Sequence, residues 1–255
     1  MPLKEFNTLF IGKVLFEFQS LESTNISAQE LLSKSKPTEG TVISASEQTK
    51  GKGQFGSTWL SSPAENITLS IILYPGFLPP NRQFLLNQAI SLGVYDLCNA
   101  YLEADVCLKW PNDILFGNNK AGGILIENTI SGNQISATVI GVGLNINQTV
   151  FPNHLPNPVS WRDITGTIFD LEEVKQALFW HVEARYLQLR AGHYDRLRND
   201  YIAALYRYAQ RSPFKSGDQK FTGKITGVNQ DGKLELVDDK GELKTFGFKE
   251  IEFDL

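Results

Sequence analysis

The chain has 255 residues, 24 Lys+Arg against 28 Asp+Glu, a formal net charge of −4 and 42% hydrophobic residues. At about 150 residues per domain, that is roughly one and a half to two domains, long enough to fold without staples. Cys98 and Cys107 make neither a disulfide framework nor a zinc-type spacing, no apolar run approaches a membrane span, and the mild acidity argues against a dedicated nucleic-acid binder. The N-terminus lacks the apolar core and cleavage site of a secretory signal, so the expectation is a soluble, cytoplasmic protein.

In chain order, a strand is predicted near Lys13 to Gln19, followed by LESTNISAQELL. Ser27 and Glu30 are spaced as a capping box, which starts a helix at Ser27 and leaves Ser23-Thr24-Asn25 as a polar turn before it. Strands follow at Thr41 to Ser46 and Thr68 to Tyr74, on either side of the glycine-rich TKGKGQFGSTW. Leu86, Ile90, Val94, Leu97 and Tyr101 recur at helical spacing, so a helix is predicted from Arg82 to Tyr101. VCLKW, ILF, GILIE and ISATVIGVGLNIN then read as an antiparallel meander, with turns at PND, GNNK and SGN. A proline-bearing loop covers Phe151 to Ser160, and helices are predicted over Leu171–Leu189 and His193–Ala209. From about Pro213 the pattern becomes strand and turn, typical of a small β-barrel, with a boundary near Ser212. Without strict βαβ alternation, the main unit is α+β with a mixed or antiparallel sheet.

Gly51-Lys52-Gly53-Gln54-Phe55-Gly56 matches the dinucleotide fingerprint, but no helix follows to receive a pyrophosphate. What remains is a flexible loop whose backbone N–H groups and lysines suit an anion, or a surface hairpin. Lys109, in KWPND, ends an apolar strand on the face opposite Val106 and Leu108. It is a site cation or an edge-strand gatekeeper. Asn145 and Asn147 stand in an otherwise apolar strand with Gly141 and Gly143, where buried amides need partners and glycines mark a close approach or a bulge. His154, His181 and His193 do not cluster and GxSxG is absent, which argues against covalent catalysis by a side chain.

Taken together and in this order, STN, Gln48 before GKGQFGSTW, KWPNDI, KAGGILIE and GVGLNIN resemble the biotin–protein ligases, from about Phe16 to Asn147. The C-terminal GVNQDGKL resembles that family's small SH3-like domain. The resemblance implies a class II synthetase-like domain over 1–212 and an SH3-like barrel over 213–255. It implies ATP-dependent activation of biotin to biotinyl-5′-AMP with Mg²⁺, then transfer to a lysine of a biotin carboxyl carrier protein. It assigns Ser23, Thr24, Asn25 and Gln48 to the biotin head group, and Gly122 and Gly123 to close backbone approach. Lys109 becomes the catalytic cation between carboxylate and α-phosphate, with Lys52, Gly53 and Gln54 in the loop that closes over the adenylate. Trp59 covers the adenine or packs in the core, Asn112 and Asp113 assist Mg²⁺ or the incoming amine, and Asn145 and Asn147 stand near ribose and triphosphate.

Two departures from the family carry expectations. Where relatives often carry arginines in the glycine loop, this chain has Lys52, Gln54 and Ser57, which predicts weaker retention of the adenylate. The STN motif begins at residue 23, which leaves one strand and no DNA-reading module before it. Alternatives of the same fold are a lipoate or octanoate ligase or transferase; a different class is a catalytically silent biotin-binding protein. The eight Lys/Arg between Arg185 and Lys220, against three Asp/Glu, form a solvated face or attract an acidic carrier. An exposed strand edge in the meander is a candidate homodimer interface.

Overall fold

The longest buried strand organises the molecule. In this computed structural model, which describes residues 6–254 apart from Ala104, every residue of Ile67–Leu73 is buried. Call the strands β1 (Leu15–Leu21), β2 (Val42–Gln48), β3 (Ile67–Leu73), β4 (Val106–Lys109), β5 (Asp113–Phe116), β6 (Asn119–Ser131) and β7 (Gln134–Leu144). They form one seven-stranded sheet in the order β1-β2-β3-β7-β6-β5-β4, with β1 and β2 parallel and the other neighbours antiparallel.

Strand alternation divides β3 between two jobs. Ile67, Leu69, Ile71 and Leu73 enter the main core with helix α2 (Gln83–Tyr101) and helix α4 (Leu171–Arg190). On the other side Ile72 joins Ile43, Val139 and Ala28 of helix α1 (Thr24–Lys34) in a second, smaller cluster. Ser70 is buried on that same side, and its polar group is used in the site described below.

A second, five-stranded antiparallel sheet contains β8 (Arg211–Ser216), β9 (Gln219–Val228), β10 (Leu234–Asp238), β11 (Leu243–Phe246) and β12 (Glu252–Phe253), in the order β11-β10-β9-β8-β12. Phe214, Phe221 and Phe246 stack through it, with ring centroids 5.9 and 5.7 Å apart. The expected α+β class with a mixed sheet and a C-terminal β unit is therefore what the chain forms. No helix among the described residues is long and apolar enough to cross a membrane.

Four local expectations change. Helix α1 starts at Thr24, three residues before the capping box, with Ser23 as an extended N-cap at φ −160°. The Thr24 N–H, which a helix leaves without a partner in its first turn, donates to Gln48 Oε1 at 2.8 Å, so the helix gains its cap from another strand. Strand β7 stops at Leu144, so Asn145 and Asn147 lie beyond it rather than in it. Helix α5 (Tyr194–Ala203) ends six residues before the expected Ala209 because the chain turns to pair with the free edge of β4. There the Leu108 N–H donates to the Ala204 carbonyl and the Tyr206 N–H to the Leu108 carbonyl. The short helix α3 (Trp161–Thr165) was not anticipated, although Ser160 and Asp163 form a capping box and Gly166 closes it in the left-handed conformation.

Candidate active site

The cleft lies where α1, the glycine loop and the glycine-bearing parts of β6 and β7 meet. It encloses about 250 Å³. One part of its wall is a hydrogen-bonded polar set. Thr24 Oγ1 approaches Gln48 Oε1 at 3.1 Å, and the buried Ser70 hydroxyl lies 2.8 Å from Thr24 Oγ1 and 2.6 Å from Asn25 Oδ1. Asn25 Nδ2 donates to Glu127 Oε2 at 2.7 Å. Ser23 is buried and its side chain makes no cap bond. Fixed neutral donors and acceptors of this kind suit a ligand with its own amide-like edge, because each buried group must be matched.

Two glycines let these side chains lie against the sheet. A Cβ on Gly141 would stand 2.3 Å from Asn25 Oδ1, and one on Gly143 would stand 2.5 Å from Trp59 Cε2. Gly141 is opposite Ser70 and Gly143 opposite Thr68 in the β3–β7 ladder, so the strand pairing sets where Asn25 and Trp59 rest. Gly123 pairs with Gly143 and extends the same floor.

The glycine loop is a small hairpin. Gly53 N–H donates to the Ser57 carbonyl at 2.7 Å, Trp59 N–H to the Gly51 carbonyl at 2.9 Å, and Lys52 bridges to Thr58. Phe55 and Gly56 turn its tip at φ 54° and 81°. Lys52, Gly53 and Gln54 line the cleft, whereas Lys50 is outside, paired with Glu22 at 2.9 Å.

The KWPND segment faces two ways. Asn112 Nδ2 donates to the Ile124 carbonyl at 2.7 Å, and Asn112 and Asp113 line the cleft. Lys109, expected to be the catalytic cation, does not line it: its Nζ lies 5.2 Å over the Phe253 ring of the C-terminal sheet. Burial of this side chain pushes the Lys109 pKa down. Its neighbour Trp110 is buried, with Nε1 donating to the Gly232 carbonyl at 3.0 Å. Trp110 therefore ties the motif to the C-terminal sheet, while Lys109 stands opposite Asp113 in the β4–β5 ladder and feels the charges of Asp113 and Lys120.

Among the described residues three lysines line the cleft, Lys52 of the glycine loop, Lys249 and Lys120; the last, on β6 in KAGGILIE, was assigned no role in the sequence reading. Its Nζ is 2.6 Å from Asp113 Oδ1 and 5.9 Å from the Trp59 ring centre. It also lines a second, more apolar cavity of about 280 Å³, bounded by Trp59, Leu60, Asn145, Phe151 and Leu155. Lys120, Ser57, Thr58 and Trp59 are shared by the two cavities.

The remaining expected residues separate. Asn145 borders the second cavity while Nδ2 donates to the Lys120 and Val159 carbonyls. Asn147 reaches neither cavity and instead pins Phe169, donating to its carbonyl and accepting from its N–H, both at 2.9 Å. Gly122 does not line the cleft; a Cβ there would meet Leu144 Cδ2 at 2.5 Å, so it serves the tight β6–β7 contact. Asp113 was expected near Mg²⁺, but its carboxylate is committed to Lys120, and the described residues hold no group of three or more His, Cys, Asp or Glu that would bind a metal. The donor set does not fit a metal site built by the protein itself. Ser70 lies in no motif, and Glu127 closes KAGGILIE without an assigned role; the signal for Ser70 was a hydroxyl that, with Thr68, interrupts an otherwise apolar strand.

Comparison with known proteins places this geometry. Residues 15–145 match the model of the biotin/lipoate A/B protein ligase family. The biotin–[acetyl-CoA-carboxylase] ligase of Paracoccus denitrificans is 30% identical over 76% of this chain and 82% of its own length. The bifunctional ligase/repressor BirA of Bacillus subtilis is 28% identical over 94% of this chain and 74% of its own. Among solved structures, a biotin protein ligase from Aquifex aeolicus in complex with biotin and ATP superposes with a TM-score of 0.77 at 25% identity, covering 94% of this chain and 98% of that one. From the family match together with these relatives, the chain belongs to the biotin/lipoate A/B protein ligase family.

Proposed function

We propose that the chain is a biotin–protein ligase, which activates biotin with ATP to biotinyl-5′-AMP and transfers biotin to a lysine of a biotin carboxyl carrier domain. The observation that carries this reading is Lys120 at the junction of a polar pocket and a more apolar one. In the first step two anions must meet: a biotin carboxylate oxygen attacks the α-phosphorus, and the bond to pyrophosphate breaks. A cation fixed at the meeting point offsets the charge that the transition state concentrates there. The role expected of Lys109 thus falls to Lys120, with Asp113 orienting its ammonium.

The polar end formed by Ser23, Thr24, Asn25 and Gln48 takes the biotin ring, and the cavity beside Trp59 and Asn145 takes the nucleoside. Magnesium enters with the nucleotide. The glycine loop, with Lys52, Gly53 and Gln54, covers the adenylate and limits its hydrolysis. In the second step the neutral amine of the carrier lysine attacks the acyl carbon, AMP leaves, and the amine gives its proton to solvent. Apart from Lys249, the lining of both pockets comes from before residue 213, and the C-terminal unit braces KWPND and the loop.

Biotin-dependent exchange of pyrophosphate into ATP tests this, with lipoate and octanoate in parallel. Lys120→Met is expected to lose exchange by about a hundredfold or more, as removal of a charge aimed at the transition state does. Lys109→Met is expected to keep it within about tenfold, as for a residue acting through packing alone. The reverse order would return the cation to Lys109. Exchange with lipoate or octanoate and not biotin would move the substrate within the family. Tight biotin binding without exchange would make the chain a binding protein.

A further inference from the structure

The C-terminal sheet sends one cation into the cleft. Lys249, between β11 and β12, lines it opposite the glycine loop. Its backbone lies at φ +65°, the left-handed region, which disfavours any residue with a Cβ. Its Nζ stands 4.7 Å over the Phe55 ring and 3.5 Å from the Phe55 carbonyl. The preceding Phe248 packs between Phe55 and Trp110, with ring centroids 5.8 and 5.1 Å away. The tip of the loop is thus held by the C-terminal sheet through one aromatic and one ammonium.

Lys249, like the cleft-lining Lys52, differs from several other lysines in lacking a carboxylate partner among the described residues. Lys50, Lys120, Lys220 and Lys244 each lie within 3 Å of a carboxylate. No ion pair involves Lys249 among the described residues. The neighbouring Glu250 accepts instead from the Gly247 N–H at 2.6 Å, and Asp113, the carboxylate lining the cleft, is taken by Lys120. A carbonyl at 3.5 Å is a long contact that leaves the ammonium's donors largely unspent. The loop it touches has neutral Gln54 and Ser57 around its one cleft-lining lysine, Lys52.

We propose that Lys249 belongs to the nucleotide site: it is a cation delivered from the C-terminal sheet to the tip of the glycine loop, where it meets the phosphate chain of ATP. The proposal rests on the ligase reading for its nucleotide. It explains why a lysine occupies a backbone conformation that glycine would hold more easily. It also makes closure of the loop and neutralisation of the phosphates one event, because the same side chain touches the loop and the ligand.

Glycine is the decisive substitution, since it relieves the backbone while removing the charge. In the full-length chain, ATP dissociation constants by titration calorimetry, KM values in pyrophosphate exchange and Tm would be compared for wild type, Lys249→Gly and Lys249→Arg. Lys249→Gly is expected to weaken ATP binding by about five- to tenfold, the scale of one phosphate contact at a partly open site, with biotin KM and Tm held or Tm raised. Lys249→Arg is expected to restore ATP affinity. Unchanged ATP affinity in Lys249→Gly, or equal losses for ATP and biotin with a lower Tm, would overturn the proposal in favour of a packing role. Because ATP binding is read directly, failure of exchange in the wild type would remove the ligase reading and still leave Lys249 judged by its dissociation constant.

Discussion

At Gly141 a single hydrogen atom decides whether Asn25 fits. An added methyl would stand 2.3 Å from Asn25 Oδ1, and Asn25 is already held by Ser70 and Glu127. The side chain would have to leave both partners, and each buried polar group left unmatched costs about 1–3 kcal/mol. Gly141→Ala is therefore expected to raise the KM for biotin by about tenfold or more with the KM for ATP unchanged, measured by pyrophosphate exchange. Equal effects on both substrates would mean that the sheet, rather than the biotin end, had moved. Polar motifs such as STN and Gln48 were legible because short amide and hydroxyl side chains recur there without a packing reason. The choice between Lys109 and Lys120 was not. Lys109 sits on β4, two strands out from β6, and the register sets it in line with Asp113 and Gly123 rather than with Lys120. Strand alternation puts Lys109 on the site's face but says nothing of the Phe253 ring that covers it.

Elements were read well where one periodicity ran unbroken, as in α2, whose expected and observed bounds differ by one residue at the start. They were misread where a partner from elsewhere fixes the end: Gln48 for α1, the edge of β4 for α5. The DDKG turn between β10 and β11 shows local chemistry sufficient by itself. Asp238 Oδ1 accepts the N–H groups of Lys240 and Glu242 at 2.9 and 3.0 Å, while Oδ2 pairs with Lys244 at 2.7 Å. The Lys244 ammonium, then these backbone donors, hold the Asp238 pKa down to about 2, against 3.8 for a free carboxyl. Because the folded value lies below the unfolded one, the stabilisation is fully present above 3.8 and is lost as pH falls toward about 2. Asp238→Asn is expected to lower Tm at neutral pH, with the gap from wild type shrinking below pH 3.8 and closing near 2, measured by thermal unfolding across that range. A gap that stays constant with pH would assign the effect to the turn's hydrogen bonds alone.

Across the whole molecule, the question is whether the basic stretch from Arg185 to Lys220 forms a field that draws in a carrier domain. Most of its charge is answered internally. Arg185 pairs with Asp96 and Asp200, Arg190 with Glu39, Arg198 with Asp195, Arg211 with Asp239 and Lys220 with Asp254, all at 2.6–3.1 Å. Arg196 approaches Asp200 at 3.9 Å, and Arg207 donates to the Asp254 carbonyl at 3.3 Å. Several of these acidic partners come from outside the stretch, so counting charges along the sequence alone overstated its basicity. Beyond the screening length of about 8 Å at physiological salt, paired charges of this kind leave little field to steer an approaching partner. On the ligase reading proposed above, carrier recognition would then rest on short-range contacts rather than on long-range attraction. For an acidic biotin carboxyl carrier domain, kcat/KM is expected to fall by less than about threefold between roughly 50 and 300 mM KCl, because steering would show itself as a steep loss of on-rate with salt. A fall of tenfold or more, reversed by charge-neutralising substitution at Arg196 or Arg207, would mean that the face steers the carrier despite its internal pairs.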